Sequence, residues 1–289
     1  MFMREFMKYA FLTDNIGVLN KIQKPDILYF GNEFCQNIIP AKQHINKAFQ
    51  WALKNNIQFV FVLPYITNDK VKTADSLLHI LNNKKRNIEI VFNDWGTLSL
   101  ILKYKNLQPV LGRLLTKQRK DPIAENIIQN TQNKIKIAVI DGKKTIIKAK
   151  KVPLTLKTYF QKSFLDVGHV IDFMTENNIK RYELDLLPWG IKIKTDKKIK
   201  LSIYYPYVNI TTTRYCGAVN LKYTKICSKI CKSQIIEAGT NKLKYPYIIK
   251  GNAVFYKTSK DILDKTVNAG NIDRIVINDL QTLNKLVTG

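Results

Sequence analysis

Four cysteines stand out in this chain, and three of them fall in one short stretch. Cys216, Cys227 and Cys231 lie in "CGAVNLKYTKICSKIC", while Cys35 lies far upstream in "YFGNEFCQN". Thiolates are soft ligands, and four of them converging suit either a zinc ion or an iron–sulfur cluster. The spacing is C-x10-C-x3-C plus one remote cysteine. Structural zinc usually takes two C-x2-C knuckles that wrap a single ion. A cluster is wider and accepts looser spacing from separate loops. The alternative is four unrelated buried cysteines.

Several other residues have types suited to chemistry. Arg113 follows Gly112 near the end of an apolar run, where a planar cation suits a carboxylate or phosphate. Glu183 and Asp185 alternate along "YELDLL" and so share one strand face. If that face is a barrel interior, both carboxylates need partners, and Arg113 or Arg214 is available. A structural ion pair and a substrate site are equally open there. Asp94 either orients a substrate hydroxyl or caps the helix that follows it. Tyr207 sits in "YYPYVNITTTRYC" with Tyr204, Tyr205 and Tyr215. Such aromatics shield a cluster, stack a flat ring, or fill core and rim. The substrate-binding candidates are therefore Asp94, Arg113, Glu183, Asp185, Tyr207 and Arg214, and no catalytic residue is identified.

Hydrolase machinery is not visible. His44, His79 and His169 fall in expected helices far from the cysteines. The chain has no H-E-x-x-H and no G-x-S-x-G, and Cys227-Ser228 has no neighbouring His to act as a base.

These residues need elements to position them. Short apolar runs predict strands over 9–13, 26–31, 59–65, 88–94, 108–115, 181–187, 201–210, 253–257 and 273–279. Most are continuous rather than alternating, as in a parallel sheet buried on both faces. Helical-period stretches over 40–56, 73–85 and 155–178 separate some of them, the last broken near Gly168. Strand–helix alternation at this length predicts an α/β fold, a TIM-type (β/α) barrel, possibly incomplete or irregular. An open doubly wound sheet is the runner-up, and no G-x-G-x-x-G follows the first strand. One domain is expected over 1–289, with an insertion at about 117–157. Within it, two alternating runs flank Asp141-Gly142, a hairpin signal. Cys35 and Cys216 each come just after an expected parallel strand, so a barrel would bring both to its C-terminal face.

Composition adds little about partners. The 289 residues include 45% hydrophobic residues and carry a formal charge of +25. Forty of the 47 basic residues are Lys and seven are Arg. RNA contact is one reading of that charge. Compositional drift toward Lys, Asn and Ile is the other, because nucleic-acid readers lean on Arg. No run of eighteen apolar residues appears, so no membrane span is expected. The N-terminus lacks a secretion-signal pattern. A cytoplasmic, reducing location is expected, where cysteines serve as ligands more often than as disulfides.

Ordered motifs then point to a family. "FGNEFC", "VFNDWG", "PVLGRLL", "KQRKDP", "YELD" and "YYPYVNITTTRYC" occur in this order. Together they resemble the collagenase-like peptidase family U-thirty-two, closest to its short iron–sulfur members of the UbiU and UbiV type. The resemblance is weak over 123–157 and after residue 240. It implies a TIM-type barrel and a 4Fe-4S cluster on Cys35, Cys216, Cys227 and Cys231. It also implies support of oxygen-independent hydroxylation of an aromatic or ring substrate, a quinone precursor or a nucleobase, and a heterodimer with a related family member. "NDWG" and "GRLL" depart from those members, which leaves the substrate open. A collagenase-like peptidase and an RNA-binding or RNA-modification protein are the alternatives.

Overall fold

Apolar, β-branched runs become strands in the computed structural model, which describes residues 7–122, 134–149, 154–193, 199–214, 216, 227, 229–239, 244–267 and 272–287. The first five strands are β1 (Lys8–Thr13), β2 (Ile27–Gly31), β3 (Gln58–Val62), β4 (Ile88–Phe92) and β5 (Leu107–Leu111). Next come β6 (Lys134–Ile140), β7 (Lys143–Ala149), β8 (Arg181–Asp185) and β9 (Lys200–Tyr205). β10 (Tyr207–Thr212), β11 (Ile236–Ala238), β12 (Tyr247–Lys250) and β13 (Ala253–Lys257) precede β14 (Ile272–Ile277). The helices are α1 (Lys42–Lys54), α2 (Asn68–Asn82), α3 (Trp95–Ile101), α4 (Leu154–Gln161), α5 (Gly168–Glu176), α6 (Lys260–Val267) and α7 (Leu280–Val287).

Eight parallel strands close into a barrel in the order β1-β14-β9-β8-β5-β4-β3-β2. The expected α/β barrel is therefore the fold, and it is complete. Its strands bury both faces, which explains their unbroken apolar runs. Ala10, Leu12, Ile27, Tyr29, Val60, Val62, Val91, Val110, Tyr204 and Val276 pack as one cluster on the inner face. Phe11, Leu28, Phe30, Phe59, Phe61 and Ile90 form the outer face with Ile45, Ala48, Phe49 and Ala52 of α1. Among the described residues, no helix is long and apolar enough to cross a membrane.

Two excursions leave the barrel. The first runs from β5 to β8 and contains the expected hairpin. β6 and β7 pair from Lys134↔Ala149 to Ile140↔Lys143. Asp141 and Gly142 both take positive φ, 50° and 74°, as a two-residue type I′ turn requires. The helical stretch beyond it breaks where expected: α4 stops at Gln161 and α5 starts at Gly168.

The second excursion was not expected. The run 201–210 is two strands, not one. Pro206 has no N–H to continue a barrel ladder, and the chain divides there into β9 and β10. β10 enters a separate antiparallel sheet of order β10-β13-β12-β11. "AVFYK", expected with the barrel strands, is β13 of this sheet. Cys216 therefore follows a strand of the small sheet rather than a barrel strand.

Candidate thiol site and the charge cluster beneath it

The loop that carries Cys35 is shaped by its neighbours. Gly31 ends β2 at φ +136°, and a Cβ there would lie 2.1 Å from the Val62 carbonyl oxygen. Only glycine fits so close an approach. Asn32 Oδ1 then accepts from the backbone N–H groups of Phe34 (3.3 Å) and Cys35 (3.0 Å). Cys35 leads directly into a single 3-10 turn, Gln36–Ile38.

Cys231 lies in a second 3-10 turn, Ile230–Lys232. It packs on Gly251, which sits between β12 and β13 at φ +63°. A Cβ on Gly251 would come 3.1 Å from Cys231 Cβ, 3.4 Å from Cys231 Sγ and 3.9 Å from Cys216 Sγ. The missing side chain leaves a notch that two of the sulfurs flank.

Asn252, the next residue, stitches these segments together. Its Nδ2 lies 2.6 Å from the Phe34 carbonyl, 2.8 Å from the Thr213 carbonyl and 3.0 Å from the Tyr65 hydroxyl. Thr213 N–H donates back to the Asn252 carbonyl at 2.9 Å, and Tyr65 Oη donates to the Thr213 carbonyl at 2.7 Å. One amide thus ties the neighbour of Cys35 to the segment leading to Cys216 and to the turn under Cys231.

Burial pushes the Cys35 thiol up, and Cys227 and Cys216 add to that shift. Burial also raises Cys231, with Cys216, Cys35 and Cys227 contributing. Cys231 thus shares the Gly251 notch with Cys216 and a cleft with Cys35. Among the described residues, no three His, Cys, Asp or Glu side chains are already set as a metal-holding group. Cys35 and Cys231 line one cleft of about 530 Å³ at the C-terminal ends of β1, β2 and β14.

Beneath the thiols lies a buried charge cluster. Arg113 follows β5, and its Nε and Nη2 donate to the two oxygens of Glu33 at 2.8 and 2.7 Å. Its Nη1 donates to Asp185 Oδ1 at 2.7 Å and to the Tyr207 carbonyl at 2.9 Å. The guanidinium lies 3.9 Å from the Tyr204 ring centroid and 5.2 Å from that of Phe34. Asp185 also accepts from Asn209 N–H at 2.8 Å and pairs with Lys120. Burial works to raise Asp185, but Lys120 and Arg113 outweigh it and hold the carboxyl below its ordinary range. Burial raises Glu33 despite Arg113, and lowers Lys120.

A second polar layer lies deeper in the barrel. Tyr29 Oη donates to Glu183 Oε1 at 2.8 Å and accepts from Arg274 Nη1 at 2.6 Å. Arg274 pairs with Glu89 at 2.6 Å. Arg181 makes two bonds to Asp273, of 2.6 and 2.9 Å, and donates to Ser202 Oγ at 2.9 Å. Glu183 Oε2 has no hydrogen-bond partner. Burial, the largest cause, pushes the Glu183 carboxyl up to about 7.

The sequence candidates thus separate. Glu183 and Asp185 do share the interior face, yet they serve different layers: Arg113 pairs with Asp185 and not with Glu183. Arg214 is exposed and pairs with neither carboxylate. Asp94 is the N-cap of α3: Oδ1 accepts from Thr97 N–H at 2.7 Å and Oδ2 from Thr97 Oγ1 at 2.6 Å and Ile66 N–H at 3.1 Å. Tyr207 contributes its carbonyl to Arg113, while its ring meets the Lys257 ammonium at 5.8 Å. None of these six lines the cleft beside Cys35. Sequence reasoning missed Glu33, Lys120, Gly251 and Asn252. Glu33 had a signal, a carboxylate inside the "FGNEFC" motif; Asn252 had none.

Comparisons with known proteins add little to this geometry. No protein-family model matches the chain. GTPase Era from Buchnera aphidicola subsp. Baizongia pistaciae (strain Bp) is 26% identical over 241 residues, 79% of each chain. Among solved structures, the chitinase TsES1 from Trichuris suis aligns with TM-score 0.36 and 11% identity, covering 94% of this chain and 91% of that one. A class V chitinase from Nicotiana tobaccum aligns with TM-score 0.29 and 9% identity over 87% and 75%. Chitinase ChiW from Paenibacillus sp. str. FPU-7 aligns with TM-score 0.29 and 10% identity, over 87% of this chain but 30% of that one. At such TM-scores the likeness carries no argument about the site.

Proposed function

We propose that Cys35, Cys216, Cys227 and Cys231 hold a 4Fe-4S cluster. On this reading the chain supports oxygen-independent hydroxylation of an aromatic or ring substrate, a quinone precursor or nucleobase, beside a related partner chain, in the manner of the short iron–sulfur members of the U-thirty-two family. The observation that carries the reading is the Gly251 notch, flanked by the sulfurs of Cys231 and Cys216. An all-thiol donor set from separate loops suits a cluster better than a single ion.

When bound, such a cluster supplies electron transfer at the edge of the cleft. The chain's own residues do the rest. Asn252 fixes the loops bearing the thiols relative to one another. Arg113 holds Glu33, two residues before Cys35, against the barrel top. Phe11, Phe34 and Phe255 line the cleft and keep its wall apolar.

Anaerobic purification and reconstitution test the reading. Iron and sulfide in equal amounts are expected, with a brown chromophore that Cys227→Ser bleaches. Protein that stays colourless contradicts it.

The match to GTPase Era favours a second reading, guanine-nucleotide binding. The chain has no G-x-x-x-x-G-K-[ST] to cradle phosphates. Titration with a fluorescent GTP analogue decides: saturable binding would support this reading over the first.

A further inference from the structure

Lysine is spread over most of this chain, so a surface without it stands out. Among the described α-helices, α3 and α5 are the two that carry no Lys or Arg. They are neighbours on the barrel wall: α3 follows β4, α5 leads into β8, and β5 lies between those two strands. Neither 87–102 nor 163–179 contains a Lys or an Arg.

The same face is apolar where a helix normally shows polar side chains to water. Trp95 is 39% exposed, Phe173 42%, and Leu102, at the C-cap of α3, 48%. Trp95 and Leu102 stand at i and i+7, so they share one stripe of α3. The Trp95 and Phe173 rings meet edge to face with centroids 5.5 Å apart, which joins the two helices into one patch. Contiguous exposed apolar side chains mark interaction surfaces, and Trp is prominent among interface anchors. Asp172 and Glu176 bracket Phe173 along α5, one turn apart. Both are exposed, and neither makes an ion pair among the described residues.

We propose that this face docks a basic, amphipathic segment of a partner protein. The apolar side of that segment covers Trp95 and Phe173, and its Lys or Arg side chains meet Asp172 and Glu176. Charge selects this occupant. The chain totals +25, yet at roughly physiological salt the screening length is about 8 Å, so an approaching segment feels the nearest charges rather than the total. Lysine-bearing faces repel a basic segment, whereas here the helix charges are acidic. Two copies meeting through this face would set Asp172 and Glu176 against their own kind. No residue of the patch lines the cleft beside Cys35, so docking is independent of iron.

The test is a titration with a labelled synthetic amphipathic helix of Leu and Lys, read by anisotropy for affinity and by tryptophan emission for location. Trp189 is already buried, so a blue shift on binding reports Trp95. The wild type should bind the peptide with that shift. A counterpart with Glu in place of every Lys should leave Trp95 emission unchanged, because any lysine surface that holds it lies elsewhere. Asp172→Lys combined with Glu176→Lys should weaken the Leu/Lys peptide about tenfold or more. Phe173→Ser should weaken it about fivefold, since it removes an apolar anchor. If the charge reversal does not fold, Asp172→Asn with Glu176→Gln carries the same direction at about threefold. No binding by the wild type, binding without the Trp95 shift, or unchanged affinity in the folded charge variant overturns the proposal. Wild type that ignores the peptide and sediments as a dimer gives the face to a second copy, and overturns it too.

Discussion

Arg113 and Glu33, eighty residues apart, meet through two parallel hydrogen bonds of 2.8 and 2.7 Å with both side chains fully buried. This fork joins the segment after β5 to the loop that presents Cys35. Removing one partner of a buried pair strands the other, at about 3–5 kcal/mol. Arg113→Met is therefore expected to lower the melting temperature sharply and to release the Cys35 loop. Arg113→Lys keeps the charge but not the two-pronged geometry, and should restore little. Thermal unfolding of the three proteins checks this; a lysine variant as stable as wild type contradicts it.

Asn252 acts on three chain segments through one amide. Asn252→Leu keeps the branched shape and removes the donor, leaving the Phe34 carbonyl without its amide donor and the Thr213 carbonyl with Tyr65 Oη alone. A loss of about 1–3 kcal/mol is expected. In metal-free protein, a short bifunctional thiol reagent should join Cys35 to Cys231 more slowly than in wild type, as read by peptide mapping. Equal crosslinking rates would show that Asn252 does not position the thiols.

Two glycines provide a controlled comparison. Gly251 and Gly142 both have positive φ, +63° and +74°, so alanine strains either backbone. At Gly142 the new Cβ meets nothing within 4 Å, whereas at Gly251 it meets Cys231 and Cys216. Both variants should lose about 1 kcal/mol or somewhat more. Only Gly251→Ala should lower iron per chain. Equal iron in the two variants would remove the notch from the account.

Glu183 predicts a pH dependence of stability. Tyr29, Glu89, Arg181, Tyr204 and Arg274 are the ionisable groups around it. Its folded pKa is raised to about 7 from the model-compound value of 4.5, so the folded chain holds a proton that the unfolded chain releases. Between those values, stability falls as pH rises, and it levels off above about 7. Glu183→Gln should flatten the slope of melting temperature from pH 5 to 8. An unchanged slope assigns the dependence to another group.

Much of the barrel was legible because strands buried on both faces leave continuous apolar runs, as in "FVFVLPY" and "DRIVIND". The hairpin was legible because Asp141-Gly142 can take two positive φ values. The small sheet was not. "LSIYYPYVNI" and "AVFYK" have the composition of barrel strands, and only Pro206 marks the departure. For the site, residue type revealed the thiols, whereas the charge cluster needed the fold. Glu183 and Asp185 alternate identically in sequence, and only the register against Tyr29, Arg113 and Lys120 gives them separate partners. Asn252 and Gly251 are ordinary loop residues until the turn sets them beside Cys231.

The most direct measurement is iron and acid-labile sulfide per chain in anaerobically reconstituted wild type and Cys35→Ser. The account predicts one 4Fe-4S complement in the wild type and marked loss in the variant, because the distant thiol completes the site. A Cys35→Ser protein that keeps the full wild-type complement and spectrum would contradict it.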